Sequence, residues 1–519
     1  MTDHGPHLSR HEDRVPLRGY PSPGTRRCSG AAGRREAEVK TRREAGAVPL
    51  TARQAGPPAL RQARRPTGAI RVSAAPSTPG ELDPSRPAAE PGKTQPARRQ
   101  RRRRSTKAGF AALSVLAAAA IVPILTGCAA TGPATLNYYS FPDPSGATAK
   151  TVASCNAQSH GKYTISYHPL AYSADAQRQQ LARRLAAHDS TVDIMGLDVT
   201  WEAEFAQAGW ILPWTGTIRQ RAESGTLKPA LDTATWHGKL YGVPGNTNTQ
   251  LLWYRSDLVK TPPATWGQMI ADAEALARQG KPHYIEIQGA QYEGTVAWFN
   301  TLLQSAGGSV LSPDSQHVSL GAPAVQALSI MKQLATSPAA DPSLPVQMED
   351  ANRLAMESGR AAFELNYPFV YPAMQADNPT LFRHFRWAPY PQVVPGQPAR
   401  VTIGGIDLAV SAYSQHPQLA FQAALCLRDK ANQLAAAIVG GLPPTIVSLY
   451  SDPKMFPEYP FHADFLKALQ TASVRPKTPA YQILFTDISH LVSPPAAINP
   501  TATERQMASQ ITKTLQSNG

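Results

Sequence analysis

The sequence predicts an α/β fold from Thr135 onward, because strand-like runs alternate there with helical patterns and one apolar run ends in a carboxylate. Alternating or continuous apolar runs predict strands, and 3.6-residue periodicity predicts helices. The first predicted strands are Thr135–Tyr139, Tyr163–Tyr167 and Thr191–Asp198. The helices between and after them are Ala147–Gln158, Gln177–Ala187 and Trp201–Ala208. This order predicts a parallel sheet whose ligands bind beyond the carboxyl ends of its strands, where Asp198 lies.

A long extended segment follows and suits a crossing between two lobes. Trp236–Pro244 predicts a turn and a strand, and polar Gly245–Thr249 leads into apolar Gln250–Arg255. Thr265 is a candidate N-cap for the next helix. The remaining predicted elements are helices at Ala297–Ala306, Pro323–Ala335, Met348–Ser358 and Gln418–Lys430, strands at Ala361–Asn366 and Val401–Val410, and a largely helical tail.

A secretory signal is predicted upstream of this fold. The basic residues Arg101–Arg104 and Lys107 precede the apolar stretch Ala108–Leu125, which ends in Leu-Thr-Gly-Cys128. A basic region, a short apolar core and small residues are typical of a signal peptide. The Leu-x-Gly-Cys ending resembles the lipobox of bacterial lipoproteins, which implies lipid on Cys128. An uncleaved membrane anchor is the alternative, although the stretch is borderline in length and contains Pro123.

The positive charge of the chain belongs to the segment before Cys128. The whole sequence carries a net charge of +14, which taken alone suggests a polyanionic partner. Residues 1–127 hold 24 basic and 9 acidic residues, and the rest holds 27 and 28, a net charge of −1. We therefore expect no nucleic-acid partner. Residues 1–104 lack a periodic apolar pattern, which favours either a disordered extension or a start assigned too far upstream.

Two cysteines remain after Cys128 and form one candidate pair. Cys155 and Cys426 stand 271 positions apart in a chain predicted to leave the cytoplasm, where disulfides persist. A bridge between them and two free buried thiols are both compatible with the sequence.

Several blocks of the sequence, taken in order, resemble one family. They are Leu181–Leu185, Asp193–Trp210, Lys239–Val259, Trp298–Ser312, Val401–Val410 and Gly440–Pro453. With the Leu-x-Gly-Cys ending, they resemble the extracellular solute-binding proteins of sugar ABC importers, and among these the trehalose-binding lipoproteins of actinobacteria. The resemblance implies a two-lobed, periplasmic-binding-protein-like (type II) α/β fold with a ligand cleft between the lobes. The expected boundaries are an extension at 1–104, a signal peptide at 105–127, a tether at 128–134, a first lobe at 135–245 and 401–446, a second lobe at 246–400, and C-terminal helices, mainly of the second lobe, at 447–519.

The same resemblance implies the ligand and the partners. We expect a monomer that binds a disaccharide, is held at the outer face of the cytoplasmic membrane, and delivers the sugar to permease subunits with their ATPase. Trehalose is the first candidate, and maltose or another oligosaccharide is the alternative. Two positions depart from the trehalose binders, which carry Trp at the position of Tyr367 and a sugar-contacting Arg at that of Ile446.

Candidate ligand residues follow from the resemblance and from the chemistry of sugars, whose hydroxyls need carboxylates or amides and whose flat faces need aromatic rings. The residues expected from it are Asp198, Asn248, Glu349, Asn366, Tyr367 and Phe369, with Asp143 and Glu293 in loops expected to face the cleft. Structural roles are the alternatives: an N-cap for Asp198, a turn for Asn248, a favourable helix-terminal charge for Glu349 and packing for the aromatic rings.

Enzyme classes find little support in the sequence. The motifs of zinc proteases, serine hydrolases and phosphate-binding loops are missing. A secreted glycosidase using Asp198 and Glu349, and a lipoprotein that only scaffolds partners, remain as alternatives. We expect neither a metal nor an organic cofactor, because the histidines show no ligand spacing.

Overall fold

A computed structural model describes residues 132–518 of the chain. The predicted extension, the signal peptide and the lipidation site Cys128 lie outside the described residues. The described strands are β1 (Ala134–Ser140), β2 (Tyr163–Pro169), β3 (Ile194–Asp198), β4 (Thr235–Trp236), β5 (Lys239–Leu240), β6 (Gly242–Asn248), β7 (Leu251–Arg255), β8 (Tyr284–Glu286), β9 (Ala361–Asn366), β10 (Phe385–Ala388) and β11 (Gly404–Val410).

The described helices cover the faces of these strands. They are α1 (Ala147–Gln158), α2 (Ala174–Ala186), α3 (Glu202–Gln207), α4 (Gly216–Glu223), α5 (Lys228–Thr233), α6 (Trp266–Arg278), α7 (Glu293–Ser305), α8 (Gly321–Thr336), α9 (Glu349–Glu357), α10 (Val370–Asp377), α11 (Pro379–Phe382), α12 (Pro417–Leu427), α13 (Lys430–Gly440), α14 (His462–Gln470), α15 (Tyr481–Val492) and α16 (Pro500–Asn518). Thr265 caps α6 as predicted, accepting the amide hydrogen of Gln268 at 3.2 Å.

The first lobe is built on a five-stranded sheet of order β2-β1-β3-β11-β6. Strands β1, β2 and β3 are parallel, but β11 runs antiparallel to both of its neighbours. The parallel arrangement predicted from the first strand–helix units is confirmed for β1, β2 and β3, and β11, whose direction the sequence did not predict, joins them antiparallel. The rule that makes strand–helix–strand units parallel governs consecutive crossovers, whereas β11 enters this sheet from the other lobe and is free of that constraint.

Both faces of this sheet are buried, in keeping with the period of two along a strand. On β1, Leu136 and Tyr138 pack into one apolar cluster, while Tyr139 packs into another on the opposite face. On β3, Ile194 joins the first cluster and Leu197 the second. Helices from both ends of the chain supply the partners, so residues before 245 and after 400 share this lobe.

The second lobe is built on a four-stranded sheet of order β10-β7-β9-β8. Strand β7 begins three residues after β6 ends, so the chain crosses between the sheets at Thr249–Gln250, within the extended segment predicted for a crossing. It crosses back between β10 and β11. Apolar residues of α15 and α16, such as Leu484 and Ile511, join the cluster that packs on this sheet.

The candidate cysteine pair is bridged. Cys155 on α1 and Cys426 on α12 form a disulfide with their Cα atoms 5.8 Å apart, which confirms the predicted pairing. The bridge ties an early and a late segment of the first lobe together. In the part of the chain that is described, no helix has the length and apolar character needed to cross a membrane.

Candidate functional site

A cleft of about 470 Å³ lies between the two lobes. Its lining includes Asp198 and Asn248, which end β3 and β6 of the first lobe. From the second lobe it includes Glu293 and Glu349, the first residues of α7 and α9, and Tyr367, directly after β9. Five of the eight residues predicted to bind ligand therefore share one cavity. Glu293 was expected in a loop, but α7 begins four residues earlier than its apolar pattern indicates.

Asp198 is fixed by a turn of its own. Its Oδ1 accepts hydrogen bonds from the amide (3.0 Å) and hydroxyl (2.7 Å) of Thr200. It does not cap α3, whose N-terminal flanking residue is Trp201 and carries no side-chain cap. With 29 % of its side chain exposed, Asp198 remains open to the cleft.

A buried arginine connects the two lobes at the cleft. Arg475 donates from Nη1 to Glu293 Oε1 at 2.5 Å and from Nη2 to the Ile403 carbonyl at 3.4 Å. Its Nη2 also lies 3.9 Å from Oδ1 of Asp198. The Nε of Arg475 is buried and has no partner among the described residues. The positive charge of Arg475 thus lies between one carboxylate of each lobe, Asp198 and Glu293.

Glu293 accepts hydrogen bonds from two side chains of the cleft, Arg475 and Tyr481. Its Oε1 also accepts the hydroxyl hydrogen of Tyr481 at 2.5 Å. Burial raises the pKa of Glu293, against the opposing pull of Arg475 and Tyr481. Burial by itself would lower the pKa of Arg475, but the Glu293 carboxylate raises it overall, so the guanidinium stays charged. The ion pair is therefore lost on acidification by protonation of Glu293 and not by loss of the charge of Arg475.

The second lobe also contributes an acid and a ring with altered ionisation. Burial raises the pKa of Glu349, which stands half-buried at the start of α9. Burial likewise raises the pKa of Tyr367, so its hydroxyl stays protonated and able to donate. Asn248 is half-buried, and its Oδ1 accepts the Thr249 amide at 3.0 Å. Together these groups offer carboxylate, amide and hydroxyl functions beside an aromatic ring.

Three predicted ligand residues lie outside the lining of the cleft. Asp143 holds the N-terminal end of α1, accepting the amides of Ser145 at 2.9 Å and Thr148 at 2.6 Å. Phe369 packs against an apolar cluster of the second lobe. Asn366 is fully buried, and its amide is occupied by protein partners.

Ile446 also lies away from the cleft lining. It is 5 % exposed within the apolar cluster that contains Leu227 and Tyr450. The expectation that this position faces the sugar is therefore corrected, because the side chain belongs to the protein core.

Sequence reasoning missed Arg475 and Tyr481. Arg475 stands in Ser473–Pro479, a segment without helical or strand periodicity, so no pattern placed it at the cleft. The sequence offered one weak signal: Arg475 follows the apolar Val474 in a proline-containing segment between α14 and α15. Within residues 132–518, no group of three His, Cys, Asp or Glu residues is arranged to hold a metal ion.

Comparison with known proteins decides the family. Residues 144–433 match the family model of bacterial extracellular solute-binding proteins, which is more than half of the chain. The chain belongs to this family. A probable ABC transporter-binding protein of Deinococcus radiodurans is 28 % identical over 319 residues, covering 59 % of this chain and 74 % of that protein.

Solved structures agree on the fold. Maltose-bound T. maritima MalE3 is 26 % identical, with a TM-score of 0.64, over 74 % of this chain and 99 % of that one. The sugar-binding protein MalE of Xanthomonas citri is 21 % identical, with a TM-score of 0.65, over 74 % of this chain and 98 % of that one. The two-lobed fold expected from the sequence is confirmed. The protein is a solute-binding protein and not an enzyme, so the glycosidase alternative is set aside.

Proposed function

We propose that this protein binds a neutral disaccharide in the cleft between its lobes and delivers it to the permease of an ABC importer. The observation that carries the proposal is the set of hydrogen-bonding groups contributed by both sides, Asp198 and Asn248 from one and Glu349 and Tyr367 from the other. A cavity of about 470 Å³ lies within the range of small-ligand sites.

The charge of the cleft supports a neutral ligand. Four carboxylates line it, and its single arginine is already paired with Glu293. The acids are Asp175, Asp198, Glu293 and Glu349. A uronic acid or a sugar phosphate would face an excess of negative charge in a partly desolvated site, whereas sugar hydroxyls can donate to each carboxylate.

Trehalose is the first candidate ligand, and maltose or another oligosaccharide is the alternative. Resemblance to trehalose-binding lipoproteins favours the former, and the relatives named as maltose and sugar binders favour the latter. Both departures from the trehalose binders remain, because Ile446 is buried in the core and Tyr367 stands where those proteins carry Trp. The guanidinium of Arg475 does line the cleft, although it is paired with Glu293.

A thermal-shift screen tests the class of ligand. We expect trehalose or maltose to raise the midpoint of unfolding, and glucose 6-phosphate and glucuronic acid to leave it unchanged. Binding that stabilises only the folded state raises the unfolding free energy by about 2.7 kcal/mol at a ligand concentration of 100 Kd. A response to the charged sugars alone would contradict the proposal.

Membrane attachment through Cys128 is a separate part of the proposal. Lipid on this cysteine would hold a monomeric binding protein at the outer face of the cytoplasmic membrane, within reach of the permease. We expect Cys128→Ser to release the protein into the medium of a producing bacterium. Retention of the variant at the membrane would argue for an uncleaved apolar anchor at Ala108–Leu125.

A further inference from the structure

Asn366 lies directly beneath two residues of the cleft and contacts both. Its Nδ2 donates to the backbone carbonyl of Glu349 at 2.9 Å, and its Oδ1 accepts the amide hydrogen of Tyr367 at 2.9 Å. Because Glu349 begins α9 and Tyr367 follows β9, this one amide fixes the helix start and the strand end against each other.

A buried carboxyl group orients this amide. The Nδ2 of Asn366 also donates to Oε1 of Glu364 at 2.7 Å, so both amide hydrogens and the amide oxygen have partners. Glu364 is fully buried on β9, two residues before Asn366. Without this acceptor, the second amide hydrogen of Asn366 would be buried without a partner.

We propose that Asn366, held by the Glu364 carboxyl group, is a positioning residue that sets the sugar affinity through Glu349 and Tyr367 without touching the sugar. The inference rests on the proposed sugar-binding function of the cleft. It replaces the ligand role that the sequence suggested for Asn366, whose side chain is fully buried.

A second buried acid stands beside Glu364. Glu286 on β8 is its register partner on the adjacent parallel strand and is also fully buried. Glu286 Oε2 accepts a hydrogen bond from Gln347, while Glu286 Oε1 and Glu364 Oε2 are buried without partners in the described structure. Burial and the like charge of neighbouring acids both disfavour ionisation, so these two carboxyl groups favour the protonated form.

The charged groups around this pair do not neutralise it. Asp341 lies near Glu286, and Glu357 near Glu364, both adding negative charge. The neighbouring cations are engaged elsewhere: Arg360 lies 3.8 Å from Asp341, and Arg353 pairs with Glu357 at 2.7 Å. Burial raises the pKa of Glu286 and of Glu364 to about 8. Above that pH we expect the two ionised groups to repel each other, which would shift Glu364 relative to Asn366.

Three variants separate positioning from general packing. Glu364→Leu removes the acceptor, and we expect sugar affinity to fall about tenfold, within the range for an unsatisfied buried amide. Glu364→Gln keeps an acceptor oxygen for Asn366 and should restore affinity to within about twofold of wild type, as expected when one hydrogen bond is preserved. Glu458→Leu, an exposed glutamate of the same lobe, is the matched control and should bind as wild type does.

The pH profile of binding supplies the decisive readout. In the wild type we expect the Kd for the sugar to be flat between pH 6 and 7.5 and to rise by up to about tenfold per pH unit above pH 8. The Glu286→Gln/Glu364→Gln double variant has no ionisable group at these two positions, so its Kd for the sugar should not rise above pH 8. Circular dichroism at each pH, with a thermal melt, shows whether the proteins remain folded.

The outcomes are distinct. Equal affinities for wild type, Glu364→Leu and Glu364→Gln, or an alkaline rise that persists in the double variant, would overturn the positioning inference and leave the proposed function intact. If the folded wild type binds no neutral sugar at any pH, the proposed function itself fails.

Discussion

Two aspartates show how local geometry decides the role of a carboxylate. Asp143 follows β1 and Asp198 ends β3 of the first sheet, and both were predicted to bind ligand. Asp143 folds back onto the amides that begin α1, whereas Asp198 closes a two-residue turn and stays in the lining of the cleft. The hydrogen-bond partners distinguish them, and no pattern in the sequence separates the two.

This difference gives a paired test. We expect Asp198→Ala to weaken sugar binding by about tenfold or more, because hydrogen bonds to charged groups contribute roughly 1.5–3 kcal/mol. Asp143→Ala should leave affinity unchanged and lower the free energy of unfolding by about 1 kcal/mol, the usual cost of losing an N-terminal cap. Calorimetric titration with denaturant melts measures both quantities. An affinity loss in Asp143→Ala equal to that in Asp198→Ala would contradict this assignment.

Arg475 provides a second prediction at this scale. Arg475→Met leaves Glu293 without its cation, and we expect a loss of up to about 3 kcal/mol in unfolding free energy, the lower end for breaking a buried pair. Adding Glu293→Gln removes the unpaired charge and should recover much of that loss. Urea unfolding of the three proteins at pH 7 measures the coupling. Additive losses in the double variant would show that the pair is not coupled.

Sequence reasoning identified residues best where an element carries them. Asp198, Asn248, Glu349 and Tyr367 end or begin strands and helices, and the structure places all four in the lining of the cleft. Arg475 was missed because its segment has no helical or strand periodicity. Asn366 was predicted to bind ligand because it ends a strand, but the strand pattern does not tell whether the side chain of that last residue points into the cleft or into the core. Asn366 is the last residue of β9, and the direction of its side chain depends on a contact with the start of α9, the helix that precedes the strand.

At the scale of elements, the sequence pattern predicted several bounds and the parallel pairing of the first three strands, but not the direction of β11. The bounds of α1 and β9 are those that the apolar pattern gave. Strand β11 begins at Gly404 rather than Val401, because the preceding residues are taken up by contacts with α7. The antiparallel placement of β11 follows from its arrival from the other lobe, which no local pattern records.

The disulfide between α1 and α12 gives a prediction for these elements. The bridge closes a loop of 271 positions, for which the chain-entropy account gives at most roughly 5 kcal/mol. We expect Cys155→Ala/Cys426→Ala, or reduction of the wild type, to lower the free energy of unfolding by a few kcal/mol. Neither cysteine lines the cleft, so sugar affinity should stay unchanged. Identical thermal unfolding with and without reductant would contradict this expectation.

A buried acid pair beneath the first lobe's side of the cleft predicts a pH dependence of stability. Glu202 on α3 and Asp407 on β11 are about 1 % exposed, and both oxygens of Glu202 lack partners in the described structure. Burial raises the pKa of each well above its ordinary value; Asp407 raises the pKa of Glu202 further, and Asp198 raises that of Asp407. The folded state therefore holds protons on this pair that the unfolded chain releases. The contribution of the pair to stability is fully present below about pH 4, the ordinary range of these groups, and is lost as the pH rises.

Asp407→Asn tests this pair directly. The variant lacks one of the two groups that must be protonated, so its free energy of unfolding should fall less between pH 5 and pH 8 than that of the wild type. Guanidinium unfolding at the two pH values measures the difference. An equal fall in the variant and in the wild type would show that Asp407 is ionised in the folded protein.

At the scale of the whole molecule, both lobes contribute polar side chains to the lining of the cleft. The first lobe offers a carboxylate and an amide at its strand ends, and the second offers two acids and a ring. Arg475 and the crossing segments join the two sides. A ligand that touches both lobes favours the closed arrangement by its differential affinity for that state.

Calorimetric titration of trehalose and maltose into the wild type, Asp198→Ala and Glu349→Ala tests this account most directly. One sugar should bind the wild type with a stoichiometry of one, and each variant, changed on a different lobe, should bind it at least about tenfold more weakly. Release of glucose during the titration, or full affinity in both variants, would contradict a sugar held between the lobes by these residues.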